Sequence, residues 1–289
     1  PIQNFHAIVL DEKHRNFIHR FFPLVSDVFF CPNGGNSVEA SVPYENRSIE
    51  VLYVGNCQPY IKEFPAISFF SDGGKDFYQK VISAMIQNNN ITTEACIDLY
   101  IEQCASELSI KDQRKLHLDF AHYPEGYVRR YFKQLGMRAL NEEGIRVEIY
   151  GDGWEDPDYE YGENITIHKR VTSEECNRLA GDSKIALNFM PWFKDGCSER
   201  AFNNMLGGAV CVSDKSRYLT EHYKDGQDIV FFELDNPRQM ALDVKWLLEH
   251  PDNAARIARA GYQKAIHCDT WACRLSGIME YCAANEQKY

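Results

Sequence analysis

No apolar run in the chain approaches the roughly 20 residues needed to cross a bilayer. The start, Pro1 to Leu10, lacks the charged opening and long apolar middle of a secretory signal, so a cytoplasmic protein without a leader is expected. Neither a GxGxxG fingerprint nor a P-loop occurs, which counts against dehydrogenase and nucleoside-triphosphatase readings. The ten cysteines form no CxxC pair, and the nine histidines are dispersed without metal-ligand spacing. Reduced, partly buried thiols are therefore expected, not a disulfide scaffold, and no metal. Basic residues are in deficit: 31 Lys and Arg against 42 Asp and Glu leave a net charge of −11. Phosphate-backbone affinity needs the opposite sign, so a general nucleic-acid binder is not expected, although a local basic pocket is allowed. Internal repeats and low-complexity tracts are absent as well.

What remains is ordinary for a soluble globular protein: 289 residues, 44% hydrophobic and 25% charged. That length holds one large domain or two small ones. The chain is organised around Ile185 to Asp214, which reads as strand, loop, helix, Gly-Gly turn, strand. Ile185–Phe189 is a short, mostly apolar run. Pro191, Asp195 and Gly196 make the loop. Ser198 is placed as the N-cap with Glu199 in the first turn, and Phe202, Met205 and Leu206 form one apolar face. Gly207 and Gly208 stop the helix, and Ala209–Val212 is the second strand. A unit this short is a parallel crossover, in which ligands bind where strands end and helices begin. The free N–H groups there favour an anion.

Around it, strands are expected at 5–10, 28–30, 49–54, 147–150, 165–168 and 229–232. Helices are expected at 13–22, at 74–88, 92–108, 110–120 and 125–142, and from Thr172, whose Glu175 partner completes a capping box. Further helices are placed near Tyr218–Tyr223, from Asn236-Pro237, after His250-Pro251 and over Trp271–Ala284. Six strands beginning near 49, 147, 165, 185, 209 and 229, separated mainly by helices, predict an α/β fold with a doubly wound parallel sheet.

Here the residues reach a resemblance. SKIALNF, then SERAFNNMLGGAVCVSD, YLTEHYKDGQDIVFF, the NP-initiated helix and HPDNAARIARAGYQKAI resemble the C-terminal half of GT-B glycosyltransferases, especially the spore-maturation CgeB-like group. VLYVGN resembles the first strand and glycine turn of that domain, and FHAIVLDEKHRNFIHRFFPLVSDVFFCPNGG the tail of the domain before it. The block 65–142 matches nothing in that pattern. The resemblance implies a Rossmann-like nucleotide-sugar domain over 47–268 with a helical insertion at 65–142. Residues 1–46 would be a remnant of the N-terminal domain and linker, and 269–289 a C-terminal crossover helix. The apolar stripe Trp271, Leu275, Ile278, Met279 and Cys282 on that helix is expected to pack on residues 1–35, with the insertion or a second chain as alternatives.

The resemblance also implies the site. Related enzymes carry two glutamates eight positions apart around the central helix, the second contacting the donor ribose; Asp195 and Asn203 stand at those positions here. Arg200 and Asp195 are the candidate catalytic residues, with Arg200 neutralising the donor diphosphate or, alternatively, pairing with Glu199 at the surface. The candidate substrate-binding residues are Gly55, Asn56, Gly151, Gly153, Trp154, Arg170, Val171, Asn188, Gly196, Cys197, Ser198, Glu199 and Asn203. Gly55-Asn56 reads either as a backbone approach to the diphosphate or as a plain turn, and Trp154 either closes the pocket or is packed. Lys169-Arg170-Val171 either reads the base or is a solvated pair. Asn188 is polar in an apolar strand and needs a partner. Asp156-Pro157-Asp158 reads as a loop, not a metal site.

The expected function is a glycosyltransferase of hexosyl or N-acetylhexosaminyl type, or its donor-binding half. The resemblance implies a nucleoside-diphosphate sugar donor, UDP-linked, with no cofactor and no catalytic metal. The acceptor is a glycan, a protein or a small molecule, and a homodimer is an option. The alternatives are a non-catalytic nucleotide-sugar-binding or scaffold module and an unrelated Rossmann-like nucleotide-binding enzyme.

Overall fold

The protein is described here by a computed structural model covering residues 5–37, 42–57, 71–155 and 159–286. The expected loop Asp156-Pro157-Asp158 and the first residues of the 65–142 block lie outside the described residues. The chain opens with strand β1 (Phe5–Val9), helix α1 (His14–Phe21) and strand β2 (Val25–Phe30). β1 and β2 pair in parallel as a separate two-stranded sheet. Then come β3 (Ile49–Val54) and four helices, α2 (Asp72–Gln87), α3 (Thr93–Cys104), α4 (Ile110–Phe120) and α5 (His122–Glu142). Strands β4 (Val147–Tyr150) and β5 (Ile165–His168) follow, then α6 (Ser173–Gly181), β6 (Ser183–Asn188), α7 (Glu199–Leu206), β7 (Val210–Asp214), α8 (Arg217–His222) and β8 (Val230–Phe232). Helices α9 (Pro237–Glu249), α10 (Pro251–Cys268) and α11 (Trp271–Glu286) complete the described chain.

The second sheet has six strands in the order β5-β4-β3-β6-β7-β8, every neighbour parallel. Counted from β3 this is the doubly wound order, and its direction reverses between β3 and β6. Alternation along the strands explains why both faces are covered. Val51 and Tyr53 of β3 and Val210 and Val212 of β7 enter the core under α2, α3, α5 and α9, while Leu52 and Cys211 point to the opposite face beneath α6, α7 and α10. In α5, Gly136 lets the helix meet the sheet: a Cβ there would stand 2.4 Å from Phe189 Cζ.

The expected caps hold at several ends. Thr172 accepts from Glu175 N–H at 3.2 Å, although the Glu175 carboxylate binds Arg178 and does not close the capping box. Asn236 accepts from Gln239 N–H at 3.3 Å, and Gly208, with φ +76°, supplies the left-handed stop after α7.

Helix α11 lies against β2 and the segment after it, through a face that keeps Trp271 and Ile278 of the expected stripe and leaves out Leu275, Met279 and Cys282. Tyr281 stacks on Phe29 with centroids 4.5 Å apart, and its hydroxyl donates to Asp27 at 2.8 Å. Arg274 Nε donates to the Asn33 carbonyl at 3.1 Å. Leu275, Met279 and Cys282 are exposed. Trp271, Arg274, Ile278 and Tyr281, at helical spacing, form the half-buried face. Arg274 and Tyr281, which no apolar stripe includes, complete this face through their hydrogen bonds to Asn33 and Asp27.

Candidate functional site

The site follows from the strand-order reversal. β3 and β6 are neighbours whose chains leave in opposite directions, which opens a crevice at their C-terminal ends. Helix α7 begins above that crevice. Its N-cap position is Ser198, as expected, but the hydroxyl does not cap the helix. It donates instead to Asn188 Oδ1 at 2.8 Å, because Asn188 is fully buried in β6 and needs partners. Asn188 Nδ2 in turn donates to Ser213 Oγ at 2.9 Å. The first turn of α7 therefore has no side-chain cap, while its start is tied across two strands.

Arg200, in that first turn, is half-buried over the end of β3. Its Nε donates to the Val54 carbonyl at 2.5 Å, Nη1 approaches Asn188 Oδ1 at 3.3 Å and the Phe189 carbonyl at 3.4 Å, and the guanidinium sits 4.9 Å from the Tyr53 ring centroid. Gly55 makes room for it: a Cβ would lie 2.6 Å from Arg200 Nη2. The alternative surface pair with Glu199 is not formed; Glu199 accepts from the Asn203 and Asn36 amides, each at 3.3 Å. Beside Arg200 opens a cleft of about 280 Å³ walled by Val54, Ser173, Cys176, Ser198 and Asn203.

The other expected residues divide. Asn203 lines the cleft, and its Oδ1 accepts from Asn36 N–H at 2.8 Å. Asp195 does not face the cleft: its carboxylate lies 3.5 Å from both Lys13 and Arg217. Gly196 and Cys197 are buried in the loop leading to α7. Asn56 accepts from Asp152 N–H at 2.9 Å and Asp152 accepts from Arg170 N–H at 3.3 Å, so the loops after β3, β4 and β5 are stitched together. Gly151 and Gly153 permit this. A Cβ on Gly151 would be 2.3 Å from the Gly55 oxygen, and one on Gly153, whose φ is +79°, would be 2.2 Å from the Cys57 oxygen. The Arg170 side chain is exposed and Val171 is half-buried against the Leu52 cluster. Trp154 is wholly buried. Its indole N–H donates to the Gly55 carbonyl at 2.8 Å, and its ring meets Tyr53 and Tyr161 edge-on, so of the two readings the packed one describes its surroundings.

Several groups near the site gave no motif. Helix α5 brings Arg129, Arg130 and Lys133 under the same loops; Arg130 donates to the Gly153 carbonyl at 3.3 Å and Lys133 to the Asn56 carbonyl at 2.8 Å. The spacing of Arg129 and Lys133, four residues apart, was the one available sign of a shared helix face. Asp214, at the end of β7, is buried; one oxygen accepts from Met190 N–H at 2.8 Å and the other has no partner among the described residues. Burial pushes this carboxyl up to about 7 against the pull of the Met190 N–H and Lys194. Burial, with Arg200 next and then Arg129 and Arg130, lowers the Lys133 ammonium to about 7, Cys57 acting the other way.

That depression has a sign. Between about 7 and the ordinary 10.5 the unfolded chain holds the Lys133 proton and the folded chain does not, so stability from this group rises with pH across the window. Lys133→Met should remove the rise. In urea unfolding, wild type should gain about 1 kcal/mol per pH unit relative to the variant between roughly pH 7.5 and 9. Parallel profiles would show an ordinary lysine.

Among the described residues, no group of three His, Cys, Asp or Glu side chains is placed to hold a metal, and no helix is long and apolar enough to cross a membrane. None of the ten cysteines forms a disulfide.

The sequence profile of a family described as glycosyl transferase-like matches residues 129–280. No curated protein matches the sequence. Among solved structures, a glycosyltransferase from Rickettsia africae superposes with a TM-score of 0.55 at 8% identity, over 96% of this chain and 62% of that one. S. aureus TarM, solved with fondaparinux, alpha-GlcNAc-glycerol and UDP, gives 0.53 at 13%, over 94% and 43%. The pneumococcal O-GlcNAc transferase GtfA, solved with UDP and GlcNAc, gives 0.51 at 11%, over 96% and 44%. The chain spans less than two thirds of each. The likeness is one of fold, and the fold is that of GT-B glycosyltransferases.

Proposed function

This chain belongs to the glycosyl transferase-like family, and on that footing we propose that it is a GT-B glycosyltransferase, or the donor-binding half of one. It binds a nucleoside-diphosphate sugar, UDP-linked, and presents the sugar to an acceptor without a catalytic metal or other cofactor. The observation that carries the reading is Arg200 on the uncapped first turn of α7, beside the cleft at the strand-order reversal. Cleaving a sugar–phosphate bond builds negative charge on the leaving nucleoside diphosphate. A fixed guanidinium and helix N–H groups stabilise that charge where it forms. UDP and N-acetylglucosamine named in the TarM and GtfA structures support a uridine donor and a hexose or N-acetylhexosamine. The CgeB-like affiliation belongs to the same proposal and rests on the sequence segments alone.

A second reading, a nucleotide-sugar-binding module without catalysis, is favoured by one observation. The two positions that carry glutamates in related enzymes are engaged within the chain, Asp195 by Lys13 and Arg217 and Asn203 by Asn36. Either reading requires nucleotide binding. Calorimetry with the common nucleoside diphosphates should show UDP binding, unchanged by a chelator; no binding of any of them up to millimolar concentration would end both. Slow release of UDP from a UDP-sugar would then select the enzyme over the module.

A further inference from the structure

The loop that delivers Ser198 and Arg200 takes its shape from a residue far away in sequence. Three successive backbone N–H groups, those of Lys194, Asp195 and Gly196, converge on a single oxygen, Oδ2 of Asp11, at 2.8, 2.9 and 2.9 Å. The other Asp11 oxygen accepts from Lys13 N–H at 2.9 Å, and the residue is wholly buried. A concave run of N–H groups is an anion receptor. Here it is filled by the chain's own carboxylate, from the loop just after β1.

The fit is close. A Cβ on Gly196 would lie 2.1 Å from the Leu10 oxygen, so only glycine lets the two backbones meet this way. Asp195 adds its pairs to Lys13 and Arg217, and Arg217 N–H donates to the Lys194 carbonyl at 2.7 Å. One residue further on, the Cys197 carbonyl accepts from the Asn33 amide at 3.1 Å. The loop is thus held by residues that follow β1 and β2, up to the residue before Ser198. Four hydrogen bonds to one carboxylate are charge-assisted and stronger than neutral ones.

We propose that Asp11 is a positioning residue of the donor site: its carboxylate sets the loop Lys194–Cys197 and, through it, aligns Ser198 and Arg200 toward the nucleoside diphosphate. This rests on the donor-site reading given above. It also means that the receptor before α7 is already occupied, so the donor's phosphates meet Arg200 and not those three N–H groups.

The test uses the full chain with Asp11→Ala and Asp11→Asn. Asp11→Ala should weaken UDP binding about tenfold, the scale of losing hydrogen bonds to a charged group. Sodium formate, small enough to enter the vacated receptor, should restore most of that loss in Asp11→Ala and leave wild type unchanged. Asp11→Asn, which keeps one acceptor oxygen, should lie between, and serves if the alanine variant fails to fold. Hydrogen exchange at residues 194–201 provides a readout independent of UDP. Exchange should quicken there in the variants, slow again with formate, and stay as in wild type across β7. Unchanged UDP affinity and unchanged exchange in a folded variant would overturn the proposal, as would faster exchange that formate does not reverse. Failure of wild type to bind UDP, with the exchange pattern as expected, would overturn the donor reading and leave Asp11 as the group that shapes the loop.

Discussion

Trp154→Ala should destabilise the protein by about 3–5 kcal/mol, the range for removing a large buried aromatic side chain. The indole is wholly buried between Tyr53 and Tyr161, with edge contacts at 5.5 and 5.6 Å between centroids. Its N–H is also a donor to the Gly55 carbonyl. Truncation would open a cavity under the loops after β3 and β4 and leave that carbonyl without this partner. Trp154→Phe keeps much of the volume and loses the donor, so about 1–2 kcal/mol is expected. Chemical denaturation of the three proteins measures both. A Trp154→Ala variant as stable as wild type but impaired in nucleotide binding would place Trp154 at the wall of the pocket and not beneath it.

How much of this was legible in the sequence depends on what each feature rests on. The six strands of the main sheet read correctly to within two or three residues because parallel strands covered on both faces are nearly continuous apolar runs, and their turns carry glycine or asparagine. Helix starts at Thr172 and Asn236 were legible because capping is a local bond over three residues. Ser198 shows the limit: its position was right, but a buried Asn188 ten residues earlier competes for the hydroxyl, and that competition exists only after folding. Trp154 was left open between two readings, and α11 was read only in part, for the same reason: the indole N–H and the Tyr281 hydroxyl find partners, the Gly55 carbonyl and Asp27, that are set only by the fold. Lys133 and Asp11 carry no motif at all. Their importance comes from burial and from backbone groups more than 70 residues distant, which no spacing rule reports.

Arg200→Ala should weaken UDP binding by about 1.5–3 kcal/mol, the range for hydrogen bonds to charged groups. Arg200 also donates to the Val54 and Phe189 carbonyls, so a stability loss of about 1 kcal/mol should accompany it. Arg200→Lys keeps the charge but not the planar fork and should recover only part of the affinity. On the proposed reading the effect belongs to the phosphates, because the guanidinium lies over Tyr53 near the end of β3 at the start of α7. Affinities of uridine, UMP and UDP for wild type and Arg200→Ala, measured by titration under one set of conditions, therefore test the central claim most directly. The account predicts that the variant loses affinity for UDP by the amount above while uridine binding changes by less than about 0.5 kcal/mol, the ordinary effect of a substitution away from a contact. Equal losses for UDP and uridine, or no loss for UDP, would contradict it.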